Sequence, residues 1–450
     1  MFETLKKAFK VKEIRVKIWW TLLFLLIYRL GCYIPVPGVG TALLKDQDLS
    51  KTTYLQIMSM MTGGSLAQGT LFAMGIGPYI NSSIIIQLLA VAIPPLERLS
   101  KQGEEGRRKI ANYTRYLTLL LAVIQSIGIL VSYGSVTGSD SQLVRLLAGG
   151  ADNVTGFTKF LTYVIMIVFY TAGTCVTMWI GERITDHGVS NGISLLIFAG
   201  IIASAGQFCV QECTAIFGGN FDSAARLELL RFVGYILIIV LVFGAIVWVE
   251  LAERKITVQY AKQIKGNKMY GGQSTVIPIK VNANGVMPLI FAFSILSFPE
   301  LIFALCGWTN GSVWWSTWLG ANSRYPFYAI TLCLFIVFFA FFYSQIQFNP
   351  EDISKTIQQN GGFIPGIRPG KPTADYLKKI NDRLTLFGAI FLALLALIPT
   401  VVLNLILPAN ATSSGAFSAT GMLICVSVAI EFNTALESQI MMKAHKGFLK

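Results

Sequence analysis

The chain has 450 residues, of which 54% are hydrophobic and only 13% are charged. The charged share is about half of the roughly 25% that is typical of soluble domains, and the apolar residues occur in long blocks instead of helical stripes. This composition excludes an ordinary soluble domain and indicates a polytopic membrane protein. The net charge is +13, and the basic residues lie between the apolar blocks. Membrane topology therefore explains this charge better than nucleic-acid binding does.

The first apolar block, Trp19–Ile34, follows a basic segment and has no small-residue cleavage site after it. We therefore expect a permanent first helix, with its N-terminus in the cytoplasm, rather than a cleavable signal. Nine further blocks follow, each close to the roughly 20 residues that cross a hydrocarbon core. The ten predicted spans are Trp19–Ile34, Gly75–Ile93, Tyr116–Tyr133, Phe160–Ile180, Val189–Ala205, Leu229–Val249, Val286–Leu305, Tyr325–Ile346, Leu384–Leu407 and Ala416–Leu436.

The segment Thr62–Met74 is compatible with a helix but is too short to cross a membrane. Irregular or half-length backbone at membrane depth survives only when it is buried in protein or faces a water-filled cavity. Two alternatives therefore stay open: a re-entrant helix inside the molecule, or an amphipathic helix on the membrane surface.

Lysine and arginine are concentrated after the even-numbered spans, which predicts that these segments and both termini are cytoplasmic. Two of the segments, Glu250–Gly285 and Phe348–Arg383, are long for a compact membrane protein. The alternating RKITVQYAKQ predicts a hairpin strand in the first. GGFIPGIRPGKPT predicts a rigid turn in the second, presenting Arg368 and Lys371. Both segments suit anionic lipid, but their length favours a protein partner.

No catalytic motif is found in the sequence. GKP at Gly370–Pro372 lacks the first glycine and the Ser/Thr of a phosphate-binding loop, so ATP hydrolysis, if used, would come from another protein. No cofactor and no metal are predicted, because the two histidines stand alone. Cys209 and Cys213 share one predicted loop, where a metal or a disulfide stays open. Glu431 is an acidic residue within a span, and ion-coupled transporters place such residues near the midplane.

Several long motifs in their order and topological positions resemble the bacterial SecY family, the channel subunits of the Sec protein translocon. The motifs are RLGCYIPVPGV, GIGPYINSSIIIQLL, GEEGRRKIANYTRYLTL, GERITDHGVSNGISLLIFAGI, VELAERKITVQYAKQ, VNANGVMPLIFAFSILSFP and GGFIPGIRPGKPT. The resemblance covers nearly the whole chain. The QFCVQEC segment departs from the family pattern, so no function is carried over to it. Asn81 stands where relatives often carry serine.

The resemblance implies an all-α polytopic membrane protein with ten transmembrane helices in two pseudo-symmetric five-helix halves. The halves would be residues 1–205, with a short re-entrant plug helix at about 62–74, and residues 206–450, with cytoplasmic loops at about 250–285 and 348–383. Such a protein is a channel and not an enzyme. It passes unfolded polypeptides through its pore and releases membrane helices sideways.

The resemblance also assigns residues. A ring of isoleucines would form the pore constriction: Ile76, Ile80, Ile193, Ile197, Ile290 and Ile424. Plug positions would be Gly63, Gly64, Ser65, Leu66, Gly69, Leu71 and Phe72. The lateral gate would use Asn81, Gln125 and Phe298, with a hydrogen bond expected between the two amides. Arg254, Lys255, Lys262, Arg368 and Lys371 would dock the cytoplasmic partners.

The implied partners are the small membrane subunits SecE and SecG, the SecA ATPase, the ribosome including its rRNA, signal peptides and nascent chains, and anionic lipids. The implied location is the bacterial cytoplasmic (inner) membrane. Two other classes are weaker alternatives: a secondary transporter for a small solute, and a structural scaffold. The first lacks an ion-coupling constellation, and the second does not explain the short segment or the isoleucine pairs.

Overall fold

The computed structural model describes Lys6 and residues 8–37, 62–66, 68–137, 156–217, 223–260, 263–265, 268–270, 274–282, 285–306, 314–315, 317–319, 327–406 and 419–448. Long helices dominate these residues. They are α1 (Lys12–Gly31), α2 (Gly77–Ala92), α3 (Pro94–Lys101), α4 (Glu104–Thr137), α5 (Gly156–His187), α6 (Gly192–Phe217), α7 (Ser223–Glu250), α8 (Met287–Cys306), α9 (Phe327–Gln347), α10 (Pro350–Gln359), α11 (Lys371–Ile406) and α12 (Ala419–Phe448).

Within the described ranges, six helical stretches are long and apolar enough to cross a membrane: Glu104–Val131, Phe160–His187, Phe232–Glu250, Phe327–Gln359, Lys371–Leu397 and Gly421–Met442. A seventh results if α2 and α3, which meet at a bend of 107°, form one broken span. Gly192–Gln207 and Met287–Leu296 are shorter apolar helices. The mostly helical, multi-span fold is thus confirmed, and the full count of ten stays a prediction.

Several helices extend well beyond the apolar blocks that predicted them. The α4 helix begins at Glu104, twelve residues before the predicted start of its span. The polar ends are held by side-chain contacts: the Arg115 Nε atom of α4 donates to Oε1 of Glu182 on α5 over 2.7 Å. Hydropathy located the membrane portion only, because the loss of apolar residues does not end a helix that retains its hydrogen bonds and packing.

The chain divides into two compact units. The first contains Met1–Tyr235, Ser294–Tyr328 and Leu403–Lys450. In it, α6 packs on α12, and one apolar cluster joins the N-terminal residues Ala8, Ile14 and Ile18 to Val189 and Leu436. A further bond from Gln439 Nε2 to the Val189 carbonyl, 3.2 Å long, ties the end of α12 to the loop before α6.

The second unit contains Ile236–Phe293 and Ala329–Val402. Its strands are β1 (Glu253–Tyr260), β2 (Gln263–Lys265), β3 (Lys268–Tyr270), β4 (Ser274–Lys280) and β5 (Gly362–Phe363). The hairpin strand predicted from RKITVQYAKQ is confirmed as β1, which pairs antiparallel with β4 from Glu253 opposite Lys280 to Gln259 opposite Ser274. Beyond β4, the buried Asn282 side chain donates to Glu250 Oε1 over 3.1 Å and so returns the chain to the end of α7.

Candidate functional site

Residues 62–66 and 68–76, called the turn segment below, are the most unusual part of the first unit. They form consecutive turns, so the predicted short helix is wrong. Gly63, Gly64, Gly69 and Gly75 have φ values of +68°, +81°, +58° and +51°. This left-handed backbone is readily adopted by glycine and interrupts a right-handed helix. These four glycines therefore account for the turns of the segment.

The turn segment is buried. Leu66 and Ala73 are 0% exposed, and Met74 is 1% exposed. These three side chains belong to an apolar cluster that also contains Ala122 and Ile129 of α4, together with Met166 and Tyr170 of α5. An amphipathic helix on the membrane surface is thereby excluded, since the segment lies among the helices of its own unit.

Backbone hydrogen bonds attach the turn segment to the chain that follows α1. The Leu71 N–H donates to the Ile34 carbonyl over 2.8 Å, and the Val36 N–H donates to the Gly69 carbonyl over 3.1 Å. On α5, the Thr177 hydroxyl donates to the Gly75 carbonyl over 3.0 Å. The polar backbone of a non-helical segment at this depth is thus partly satisfied by protein groups, as burial away from water requires.

Close packing adds to these bonds. The rings of Tyr28 on α1 and Phe72 stack with centroids 5.7 Å apart and an angle of 10° between their planes. A Cβ atom at Gly31 would overlap the Phe72 ring, and one at Gly173 of α5 would overlap the Leu71 carbonyl oxygen. Two helices therefore approach the turn segment at positions where any side chain would collide with it.

The contact residues Tyr28, Gly173 and Thr177 were not recognised in the sequence. A run of small residues, TAGTCVT at positions 171–177, is the signal that was available, because small residues let helical membrane segments approach closely. This run did not indicate which segment packs against it, because that segment is irregular backbone about 100 residues earlier in the chain.

Five of the six predicted constriction residues lie in the first unit, and Ile290 lies in the second. Ile76 caps α2 instead of lying inside it, but its carbonyl accepts the Ile80 N–H over 3.0 Å, so the two residues keep helical spacing. Ile193 and Ile197 share a face of α6, which packs on the helix α12 that carries Ile424. Ile76, Ile197 and Ile424 are buried, whereas Ile80, Ile193 and Ile290 are partly exposed.

At the predicted gate, the expected amide–amide bond is absent. The Oε1 atom of Gln125 is buried without a hydrogen-bond partner among the described residues, while Asn81 on α2 is partly exposed. The reason is the orientation of Gln125, which shares a face of α4 with Ala122 and Ile129 and so faces the apolar cluster. Phe298 lies in α8, and its side chain lies outside the described residues.

The two long basic segments of the second unit form one structure. β1 from the first segment pairs with β5 from the second, with Gln259 opposite Phe363 and Tyr260 opposite Gly362. We call the sheet β4–β1–β5, with α10 and the first turns of α11, the platform. Its core consists of Ile256, Val258, Ile279, Ile357, Ile364 and Leu377. The sequence suggested two separate loops and did not indicate that they share a core.

The predicted basic residues lie on the outside of the platform. Arg254, Lys255, Arg368 and Lys371 are exposed, and Lys255 forms an ion pair of 3.3 Å with Glu253. The Arg368 carbonyl accepts the Thr373 hydroxyl over 2.8 Å, which fixes the turn on which this arginine stands. Lys371 is the first residue of α11 rather than part of the turn. Lys262 lies outside the described residues.

The platform core supports a stability prediction. Leu377 is 0% exposed, so Leu377→Ala is expected to leave a cavity and to cost about 2–5 kcal/mol of platform stability. Limited proteolysis of the full chain should then cleave residues 250–285 and 348–383 faster. Lys379→Ala, an exposed change on the same helix, is the control and should leave the rate unchanged. Equal cleavage of both variants would contradict the shared core.

These features define a helical, multi-pass membrane protein that contains a buried non-helical segment and an exposed basic platform. The SecY family model matches residues 70–433. "Protein translocase subunit SecY" of Streptomyces scabiei is 40% identical, and that of Bacillus subtilis (strain 168) is 38% identical, each over 100% of both chains. The chain belongs to the SecY family, whose members are translocase subunits and not catalytic enzymes.

Solved structures agree with this fold. One described as "The structure of a protein conducting channel" matches with a TM-score of 0.62 at 19% identity, over 94% of this chain and 92% of that chain. "Sec61 in the Canine ribosome-channel complex from the endoplasmic reticulum" matches with a TM-score of 0.57 at 18% identity, over the same shares. The fold of the chain is thus that of the channel-forming relatives.

Proposed function

We propose that this protein is the protein-conducting channel subunit of a bacterial Sec translocon. It moves unfolded secretory polypeptides across the cytoplasmic membrane and releases the helices of membrane proteins into it. The observation that carries the proposal is the buried turn segment, a non-helical piece held among apolar helices of a SecY-family chain. Such backbone is tolerated at membrane depth where it is buried in protein or faces a water-filled cavity, and a plug that closes a channel satisfies these conditions.

In this proposal the turn segment is the plug of the channel. A solved relative is described as having a plug domain that stabilises the closed state and maintains a membrane seal. The contacts of the segment with α1 and α5 suit that role, because they consist of individual hydrogen bonds and side-chain packing. Ion leakage is prevented while they hold, and a polypeptide passes once they are released.

The constriction is the ring of Ile76, Ile80, Ile193, Ile197, Ile290 and Ile424. Isoleucine is apolar and stiff at χ1, so a ring of such side chains fits around an extended chain and dewets when it is empty. The partly exposed positions, Ile80 and Ile193 among them, are the side chains that are free to touch a passing polypeptide.

The lateral gate lies at Asn81, Gln125 and Phe298. The unpartnered Oε1 atom of Gln125 supports this placement in a way the sequence did not suggest. A buried acceptor without a donor costs about 1–3 kcal/mol, which weakens the closed arrangement around it.

The platform docks the cytoplasmic partners, with Arg254, Lys255, Lys262, Arg368 and Lys371 as the contact residues. Arginine and lysine suit carboxylates on SecA and phosphates of rRNA.

The remaining partners follow from the same assignment. SecE and SecG complete the membrane complex, signal peptides and nascent chains are the substrates, and anionic lipids contact the basic surface. Both termini and the platform are cytoplasmic, and residues 1–205 and 206–450 are the two halves of the channel.

Site-specific crosslinking tests the proposal. A photoreactive residue at Ile80 or Ile193 is expected to crosslink to a secretory precursor stalled during export, provided that the precursor carries a functional signal sequence. Leu237, an exposed side chain of α7, is the control position and should not react with the precursor. The absence of a crosslink at both isoleucines in folded protein would reject the pore, and the transporter and scaffold alternatives would return.

A further inference from the structure

Cys209 and Cys213 were expected in a loop, but α6 continues through both of them to Phe217. The segment expected to be irregular is helical because it continues the apolar stretch Gly192–Gln207 without a proline or glycine between residues 208 and 217. The spacing of four residues therefore places the two thiols on one face, one turn apart. Both are free, with Cys209 partly buried and Cys213 exposed.

The helix geometry distinguishes between two kinds of linkage. Residues four apart on a helix have Cβ atoms roughly 5–6 Å apart, whereas a disulfide needs a Cβ–Cβ distance of roughly 3.5–4.5 Å. The thiols are thus too far apart to be joined directly without distorting α6. A single ion between the two sulfurs fits the spacing, since two metal–sulfur bonds span a longer gap than one sulfur–sulfur bond.

The surroundings of the pair help to identify the ion. Among the described residues, no group of three or more His, Cys, Asp or Glu side chains surrounds the pair, which disfavours a four-coordinate zinc site.

We propose that Cys209 and Cys213 form a two-thiolate binding site for a soft monovalent cation of the copper(I) and silver(I) class. Thiolates select such ions over hard cations, and these ions accept two ligands in a line. Binding displaces one proton from each thiol and forms two metal–sulfur bonds, so the bound site carries one net negative charge. No electron is transferred. The choice of these two ligands does not rest on the proposed channel function.

The location gives the site a structural consequence. Gln207, two residues before Cys209, lies close to Gly64 of the turn segment. A Cβ atom added at Gly64 would be only 2.8 Å from the Oε1 atom of Gln207. An ion that bridges residues 209 and 213 holds together the turn of α6 that immediately follows this contact.

Protection of Cys213 from labelling tests the site with silver(I), which undergoes no redox change. The exposed Cys213 of the purified full chain is labelled with a polar maleimide at increasing silver(I) concentrations. In the unaltered protein, about one equivalent is expected to block labelling. In Cys209→Ser, the concentration that gives half protection should rise at least about tenfold, because one thiolate alone is left; a tenfold change corresponds to about 1.4 kcal/mol of binding free energy.

Two controls make the result specific. Cys333→Ser, which removes a partly buried thiol on another helix, should leave protection unchanged. The double variant Cys213→Ser/Thr214→Cys keeps two thiols but moves the second one off the face of Cys209, and its label should be blocked only at the higher silver(I) concentration. Equal protection in Cys209→Ser and the unaltered protein would overturn the proposal, as would equal protection in the double variant.

Discussion

Gly173→Ala is expected to release the turn segment and to open an ion leak through the closed channel. The added Cβ would overlap the Leu71 carbonyl oxygen, which is backbone and cannot rotate away. Either α5 or the turn segment must move, and the segment is held by fewer hydrogen bonds. Overpacking of this kind costs about 1–3 kcal/mol, which shifts an equilibrium between held and released states by roughly 5- to 150-fold.

Two measurements check this expectation. Hydrogen exchange of the Leu71 N–H, which bonds to the Ile34 carbonyl, should accelerate by a similar factor, and conductance in planar bilayers should rise. Gly206→Ala is the matched control, because a Cβ at this helical glycine meets nothing within 4 Å. Alanine at such an open position stabilises a helix by up to about 1 kcal/mol. Unchanged exchange and conductance in Gly173→Ala would mean that the contact with Leu71 does not hold the segment.

Charge reversal at Arg368 is expected to have the largest effect on partner binding. The side chain is exposed, and the turn beneath it is fixed by the Arg368 carbonyl and the Thr373 hydroxyl, which the substitution leaves in place. Arg368→Glu should therefore fold normally. It should weaken binding of SecA and of ribosomes by at least about tenfold, since losing one well-placed charge contact costs 2 kcal/mol or more, and about 1.4 kcal/mol corresponds to tenfold.

Co-sedimentation with ribosomes and stimulation of the SecA ATPase measure the two partners separately. Lys355→Glu is the control: it makes the same charge change at another exposed position of the platform, on α10. A specific contact predicts a large loss in Arg368→Glu alone. Equal losses of binding in both variants would mean that the general positive charge of the surface accounts for the effect. Unchanged binding in both variants would mean that Arg368 is not part of the docking site.

The shared core of the platform couples the two basic loops to each other. Ile367 packs against the apolar cluster while its neighbour Arg368 points outward. The same cluster contains Ile256 and Val258 of β1, which follows α7 directly. A displacement of the turn at Arg368 would therefore affect both loops, because residues from both share one apolar core.

Much of the fold follows from the sequence alone. Continuous apolar blocks such as Phe160–Ile180 predict membrane helices because a membrane imposes one length and one composition on any span. The period-two pattern of RKITVQYAKQ predicted β1 because alternation places one face of a strand against a core. Long motifs in fixed order predicted the family, which the relatives at 38–40% identity confirm.

Tertiary structure decided the features that depend on distant partners. The turn segment is irregular because its four positive-φ glycines are held by α1, α5 and the chain after α1. The composition of the segment is compatible with a helix and does not reveal those contacts. Gln125 faces an apolar cluster, without the predicted bond to Asn81, because the rotation of α4 is set by what packs against it. The two basic segments form one platform because β1 and β5 pair across about 100 residues of sequence. Local sequence determined which segments cross the membrane, because solvation acts on each residue separately; packing determined which residues meet, because contact energies belong to pairs.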